Sequence, residues 1–479
     1  MPYKLVKENH FILYKGIIIE PQIRDFFIGR IWTRVNTPFP QEKIEKYKEQ
    51  NYFNKKPGIS INRSIGIFNR KRYKCNRCHN EQQNEFVQYD CARCNKTCVY
   101  CRHCINMGRI TSCTDLLLWN GPKPKVKKTH ELVWSGAFTD LQSTAAQQLI
   151  ESLKENRNHL LHAVCGAGKT EILFPAVLYA LKKGWRVCIA TPRTDVVLEL
   201  FPRFKKVFPK TILHSLYGNA PSHPGYPQLV IATTHQLFRF ENAFDFVIVD
   251  EADAFPYTYD RALQKAVLKS KKVGAPIALV TATPSAKILA QMKREKWGYS
   301  FISRRYHGHP LPVPRLEPLW SYNKIIQKGR IPKKLLDWTT TRLENKEPFL
   351  IFFPTINLME NAIPLFQQLD KKILGVHAED PERKGKVLKL RNEEIPGLLT
   401  TTILERGITI KNVQVAVVGA ESKIFNSSAL IQISGRVGRN VLFPSGEIVL
   451  FHHGITVEMD EARNEIIRFN KEGFRMEAK

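Results

Sequence analysis

A chain of 479 residues with 43% hydrophobic content is long enough for roughly three domains and apolar enough to bury a core, which excludes wholesale disorder. Its formal net charge of +29 points to polyanionic partners, nucleic acid first and an acidic membrane surface second. No apolar run approaches the roughly 18–20 residues that cross a bilayer. The first residues mix Lys4, Lys7, Glu8 and Lys15 with short apolar patches, unlike a secretory signal. The expectation is a cytoplasmic protein whose membrane contact, if any, is peripheral.

In chain order, residues 1–70 form a basic N-terminal region. The patches Phe11–Tyr14 and Gly16–Ile19 read as strands, and Gln41–Gln50 as an exposed helix. From Met1 to His130 there are 25 Lys and Arg against 10 Asp and Glu, so about half of the net charge sits in about a quarter of the chain. Eight of the ten cysteines fall between Cys75 and Cys113. In a reducing compartment that clustering indicates metal rather than disulfides. Cys75 and Cys78 make one C-x-x-C knuckle, Cys91 and Cys94 a second. Two such knuckles can give four thiolates to one structural Zn²⁺. Cys101 and Cys104 make a third knuckle, and eight cysteines suffice for two ions. Residues 71–128 are therefore expected to be a zinc-binding module and its linker, the Pro/Lys stretch Gly121–Lys128 marking the boundary.

From 129 to 305 the pattern becomes strands alternating with helices. Thr139 or Asp140 caps a first helix. A strand at Leu160–Val164 runs into Ala163-Val164-Cys165-Gly166-Ala167-Gly168-Lys169-Thr170 and then an apolar helix. That string reads as a phosphate-binding loop: the glycines let backbone N–H groups close on phosphates, Lys169 reaches their oxygens, and the Thr170 hydroxyl suits Mg²⁺. Further strands end in Thr191-Pro192-Arg193, in Thr233-Thr234-His235-Gln236, in Asp250-Glu251-Ala252-Asp253 and in Thr281-Ala282-Thr283-Pro284. Polar residues at the C-terminal ends of parallel strands face the crevice where such sheets bind ligands. Asp250 there can hold Mg²⁺, and Glu251 can orient and deprotonate an attacking water. Thr281 and Thr283 are either hydroxyl links to a neighbouring domain or a helix cap.

Residues 306–333 are Pro- and Arg-rich and read as a connector. From 334 to 479 a second alternation of five strands follows, without a phosphate loop of its own. It carries Gln432-Ile433-Ser434-Gly435-Arg436-Val437-Gly438-Arg439, whose two arginines can reach a γ-phosphate held by the first domain. The fold class expected is α/β: two tandem parallel-sheet domains behind a small cysteine-rich module. On the other rim, Thr191, Arg193, Thr233, Thr234, His235 and Thr401 suit contacts with a single strand.

The strings AVCGAGKT, TPR, DEAD, TATPS, TTILERG and QISGRVGR resemble the ordered motifs of superfamily 2 helicases, over Phe138 to Phe451. Together with CNRC and YCRHCINMGR they resemble the ComFA family of late-competence ATPases. The resemblance implies RecA-like domains, the cofactors ATP, Mg²⁺ and Zn²⁺, and a motor that draws single-stranded transforming DNA through an uptake channel. It implies the channel ComEC, the phosphoribosyltransferase-like ComFC and the mediator DprA as neighbours. It carries phosphate and Mg²⁺ binding over to Lys169 and Thr170, metal and base roles to Asp250 and Glu251, γ-phosphate sensing to Gln432, Arg436 and Arg439, and coupling to Arg406. An adenine-reading motif is reduced to Thr139 and Gln142. The resemblance makes Cys75, Cys78, Cys101 and Cys104 the first-choice zinc ligands, with Cys91 and Cys94 as alternatives or as part of a second site. Two other functions fit the residues: a duplex-opening helicase in replication restart or recombination, and a zinc-dependent DNA-binding scaffold.

Overall fold

The computed structural model describes residues 12–14, 17–63, 71–221, 223, 225–404 and 410–477. Two parallel sheets dominate it. The first has seven strands, in spatial order Leu213–Leu216, Leu229–Thr233, Val187–Thr191, Phe246–Asp250, Ile277–Thr281, His159–Ala163 and Gly298–Ile302. All pair in parallel. The five central strands are the ones that the sequence marks. Four of them are buried along their whole length; in the fifth, Phe246–Asp250, only the terminal aspartate emerges. Burial on both faces is why these strands read as continuous apolar stretches rather than alternations. The two outermost strands, Leu213–Leu216 and Gly298–Ile302, lack that signature and were not expected.

The second sheet runs Arg315–Pro318, Ile448–His452, Gln414–Val418, Phe349–Phe352, Gly397–Thr400, Leu374–Val376, again in parallel. Its first strand comes from the segment expected to be a connector. Prolines at 312, 314 and 318 disguised it, yet an edge strand tolerates proline because one side of its ladder is open. Tyr322–Gln327, in the same segment, is a helix.

The N-terminal region does not end at residue 70. A three-stranded antiparallel sheet places Asp115–Trp119 between Ile31–Thr33 and Phe53–Pro57. The boundary expected at 70/71 therefore falls inside one folded unit, because the central strand is contributed from beyond the cysteines. Ile12–Tyr14 and Ile17–Ile19 are strands, as their apolar patches suggest, and pair antiparallel. The helix Gln41–Glu49 is not simply exposed: Ile44 and Tyr47 are buried in an aromatic cluster with Phe27, Tyr52 and Phe53.

This unit is seated on the first sheet domain. Lys269 Nζ donates to the carbonyls of Arg77 (2.6 Å) and Phe238 (3.0 Å), and Lys56 pairs with Glu241 at 3.0 Å. The buried Arg186 donates to the carbonyls of Ile28 and Pro227 and lies against the rings of Tyr226 and Phe244. Gly29 allows that approach: its φ is +69°, and a Cβ there would stand 2.6 Å from the Ala243 Cβ. The expected linker is likewise held to the surface, where Lys127 exchanges two backbone hydrogen bonds with the Gln228 amide.

Candidate nucleotide site and metal-ligand clusters

Thr139 caps the helix Asp140–Lys154 through a complete capping box with Gln142. Such a cap stabilises a helix by about 0.5–2 kcal/mol. Gln142 does more than cap: its Nε2 donates to the Ala167 carbonyl at 2.9 Å, so this helix start is tied to the glycine loop. The loop itself leaves the strand His159–Ala163 and enters the helix Lys169–Lys182. Gly166 and Gly168 hold φ of +83° and +75°, conformations strained for any side chain. A Cβ at Gly168 would also meet Gln142 Nε2 at 2.4 Å. Lys169 and Thr170 then fall in the first turn of the helix, where unpaired N–H groups and the macrodipole favour an anion.

These residues open on a cleft of about 630 Å³, within the roughly 300–1,000 Å³ range of small-molecule sites. From the first sheet domain it is lined by Gln142, Cys165, Gly166, Lys169, Thr170, Asp250 and Glu251. From the second come Gln432, Arg436 and Arg439. Its lining also includes the larger hydrophobic side chains Trp134, Val196, Leu200 and Tyr306. Of the loop, Ala163, Val164 and Ala167 are buried beneath the cleft, while Gly168 lines it.

Asp250 ends its strand on the cleft floor. Burial, then the charge of Glu251, pushes its carboxyl up to about 7, against the pull of Lys169. Glu251 follows with φ +54°, an uncommon conformation for a residue other than glycine. Its backbone N–H is held by Asp250 Oδ1 at 2.9 Å. Arg436 is buried at 3% exposure, and burial together with the charge of Arg439 lowers its pKa well below that of a free guanidinium. Arg439 is aimed by its Nε–H, which donates to the Gly435 carbonyl at 2.7 Å. The cleft thus brings Lys169, Arg436 and Arg439 together with the carboxylates Asp250 and Glu251, the groups that a nucleoside triphosphate with a divalent cation requires.

Asp253, the last residue of the acidic string, had no assigned role. Its Oδ2 accepts from Thr283 Oγ1 at 2.6 Å, Gln432 Nε2 at 3.3 Å and Ser428 Oγ at 3.4 Å. Thr283 also meets Ser428 Oγ at 2.6 Å. This node joins the two sheet domains beside the cleft. It makes Thr283 a link, as expected, whereas Thr281 turns inward and accepts from the Thr283 N–H. The cap of the next helix is Ser285. Gln432 also accepts from the Cys165 thiol at 3.0 Å, so one amide touches the phosphate loop and the acidic string together. Arg305 is the other residue that the sequence did not flag. It is 2% exposed and donates to the carbonyls of Val437 and Gly438, fixing the turn between Arg436 and Arg439. Its only sequence signal was the Arg304-Arg305 doublet.

The residues expected to meet a strand divide in two. Thr191, Thr233, Thr234 and Thr401 are buried, which leaves backbone rather than side-chain contacts open to them. His235 is exposed, and Arg193 donates to the Ile403 carbonyl at 2.9 Å, across to the second sheet domain. Arg406 lies outside the described residues.

The cysteines sort into two tetrads, Cys75/Cys78/Cys101/Cys104 and Cys91/Cys94/Cys98/Cys113. In the first, the Cys75–Cys104 and Cys78–Cys101 sulfurs are 3.7 Å apart. That is the edge of a tetrahedron with Zn–S bonds of about 2.3 Å. All four are buried, and Arg77 pins the Cys101/Cys104 knuckle through the carbonyls of Cys104, Met107 and Gly108. Pairing Cys75 and Cys78 with Cys91 and Cys94, as knuckle spacing alone allowed, is ruled out by this partition. The hairpin between Phe86 and Cys101 carries Cys91 and Cys94 away from the first pair and brings Cys101 back to it.

Residues 15–118 match the family described as Competence protein ComFA N-terminal domain, residues 139–292 the DEAD/DEAH box helicases, and residues 328–441 the helicase conserved C-terminal domain. The chain is 39% identical to Competence protein ComFA of Bacillus subtilis, over 95% of this chain and 97% of that one. It is 36% identical to Competence protein ComFA of Streptococcus pneumoniae, over 80% and 90%. A looser likeness, 24% identity over 63% of this chain and 47% of the other, links it to ATP-dependent DNA helicase RecG of Streptococcus pneumoniae.

Proposed function

The chain belongs to the competence protein ComFA family, and from that premise we propose that it is an ATP-driven motor that moves along single-stranded DNA as transforming DNA is taken up. The coarser statement follows from the family and its domains: this is a competence-related, ATP-dependent superfamily 2 helicase-like enzyme. The observation that carries the finer reading is the shared cleft, whose phosphate loop comes from one sheet domain and whose arginines come from the other.

In this reading the Gly166–Thr170 loop and the helix start behind it hold the triphosphate, and the base lies toward Trp134 and Tyr306. Bound Mg²⁺ would neutralise charge on the phosphates. Asp250 and the Thr170 hydroxyl are the residues of this chain that would hold it. Glu251 orients the attacking water and takes its proton. Arg436 and Arg439 neutralise charge building on the γ-phosphate, an action available only while the second sheet domain stays against the first. ATP therefore favours the closed cleft and its hydrolysis products favour it less, which is differential binding converted into motion. Strand-facing loops of both sheet domains, near Arg193, His235 and Thr401, then take successive grips on a backbone of phosphates. The Cys75/Cys78/Cys101/Cys104 tetrad would hold a structural Zn²⁺, since a closed four-sulfur set leaves no position for chemistry. ComEC, ComFC and DprA are the partners proposed on the family resemblance. Among the described residues no helix is long and apolar enough to cross a membrane.

The test is ATP turnover by the purified chain alone and with single-stranded DNA, duplex DNA or RNA, beside Lys169→Ala. Stimulation by single-stranded DNA above the other polymers, lost in the variant, is the expected result. Equal stimulation by duplex or RNA would overturn the uptake-motor reading.

A further inference from the structure

The first tetrad accounts for four of the clustered cysteines. The other four, Cys91, Cys94, Cys98 and Cys113, bring their sulfurs within 4.8 Å of one another. Cys91 and Cys113 are 3.7 Å apart, and Cys94 and Cys98 are 3.4 Å apart. A disulfide would require about 2.05 Å; a tetrahedron of thiolates around Zn²⁺ requires about 3.7–3.8 Å, from Zn–S bonds of about 2.3 Å. We propose that this tetrad is a second, independent zinc site, more open than the first, which locks the tip of the Phe86–Cys101 hairpin to the turn before the Asp115–Trp119 strand.

Local structure presents each ligand. Cys91 ends the strand Phe86–Cys91 and Cys94 lies in the following turn, where the N–H groups of Cys94 and Asn95 both donate to the Cys91 carbonyl. Asn95 supplies the left-handed residue at φ +51°, which returns the chain into the strand Lys96–Cys101. On that strand Cys98 and Cys101 are three residues apart. Side chains alternate along a strand, so the two cysteines face opposite sides. One strand thereby feeds both sites. Cys113 arrives from the turn Thr111–Thr114, held to the hairpin by the Ser112 N–H donating to the Val99 carbonyl at 2.8 Å. In chain order the ligands interleave: two for the first site, three for the second, two for the first, one for the second.

The surroundings suit bound thiolates. Arg93 Nη2 lies 3.6 Å and Thr111 Oγ1 3.3 Å from Cys113 Sγ, supplying the outer hydrogen bonds that metal thiolates receive. Soft sulfur ligands select Zn²⁺ over Mg²⁺ or Ca²⁺. The site also answers a structural need. An isolated two-stranded hairpin is marginal in water, and this one buries few apolar side chains toward its tip. Unlike the first tetrad, which is at most 1% exposed, this one includes the half-buried Cys94 and Cys113. Its ion is accordingly the first to be lost to a chelator.

The experiment is metal analysis of the full chain, purified under reducing conditions, beside Cys91→Ser/Cys113→Ser. Two zinc ions per wild-type chain and one per variant chain are expected, whatever polymer the ATPase prefers. One ion in each protein, or two in each, overturns the proposal, as does iron in place of zinc. If the variant instead holds no metal, cobalt titration of metal-stripped wild type decides. Thiolate-to-cobalt absorption rising to two equivalents supports the second site; saturation at one overturns it.

Discussion

At the scale of single residues, Asp253 separates two duties packed into one acidic string. Asp250 and Glu251 face the cleft, whereas Asp253 receives hydrogen bonds from Thr283, Ser428 and Gln432. An aspartate that bridges the domains should matter for coupling more than for binding. Asp253→Ala is expected to leave ATP affinity within about threefold while lowering DNA-stimulated kcat at least about tenfold, roughly 1.4 kcal/mol of transition-state stabilisation. Nucleotide titration and steady-state turnover check the two halves. An equal loss in both would mean that Asp253 serves the nucleotide directly. The sequence showed the string but not this division, because the partners lie 30 and about 175 residues away and only packing of the two sheets brings them together.

Among the elements, the strand His159–Ala163 repays a close look, since it delivers the phosphate loop. His159 is buried at 1% exposure between the helix Asp140–Lys154 and the edge strand Gly298–Ile302. Its ring meets Ser152 Oγ at 2.8 Å and Ser300 Oγ at 3.0 Å. Burial lowers its pKa from 6.5 to about 4, so the folded state holds it neutral. The stability it contributes is present above about pH 6.5 and is lost as the pH falls toward 4, because the unfolded chain binds the extra proton first. At about pH 5 the loss is on the order of 2 kcal/mol. His159→Gln should therefore lose about that much less stability than wild type between pH 7.5 and 5, read from urea midpoints and slopes. Parallel losses would remove His159 from the acid response. The helix and the loop were legible from capping residues and glycines at fixed spacing. The two outer strands were not, since Leu213–Leu216 and Gly298–Ile302 are short and mixed in polarity, and edges carry no unbroken apolar run.

Over the whole molecule, the proposed motor depends on contacts between the sheet domains. Arg383 holds both carboxylate oxygens of Asp195 at 2.7 Å, and Arg193 reaches the Ile403 carbonyl. The Arg383–Asp195 pair is partly exposed, so its worth is about 0.2–1 kcal/mol. Asp195→Arg alone should reduce DNA-stimulated turnover by about twofold to fivefold, and the swap Asp195→Arg/Arg383→Asp should recover most of it. Failure of the swap to recover would show that these residues act separately. The basic N-terminal unit is part of the same body, fastened by Arg186, Lys269 and Lys56 rather than tethered by its linker.

Contiguous chemistry was settled by the amino-acid order itself. The proposed phosphate loop, the acidic strand end and the arginine pair are each built from backbone neighbours, so local spacing specified them, and their order along the chain carried the family resemblance. The gathering of Cys98 and Cys113 with Cys91 and Cys94, the strand shared between the N-terminal region and the cysteine module, Arg305 beneath the arginine turn and the Asp253 node required the tertiary structure. Each depends on which segments the sheets and hairpins bring side by side. That is fixed by the burial of apolar faces over long sequence separations, and spacing along the chain does not encode it.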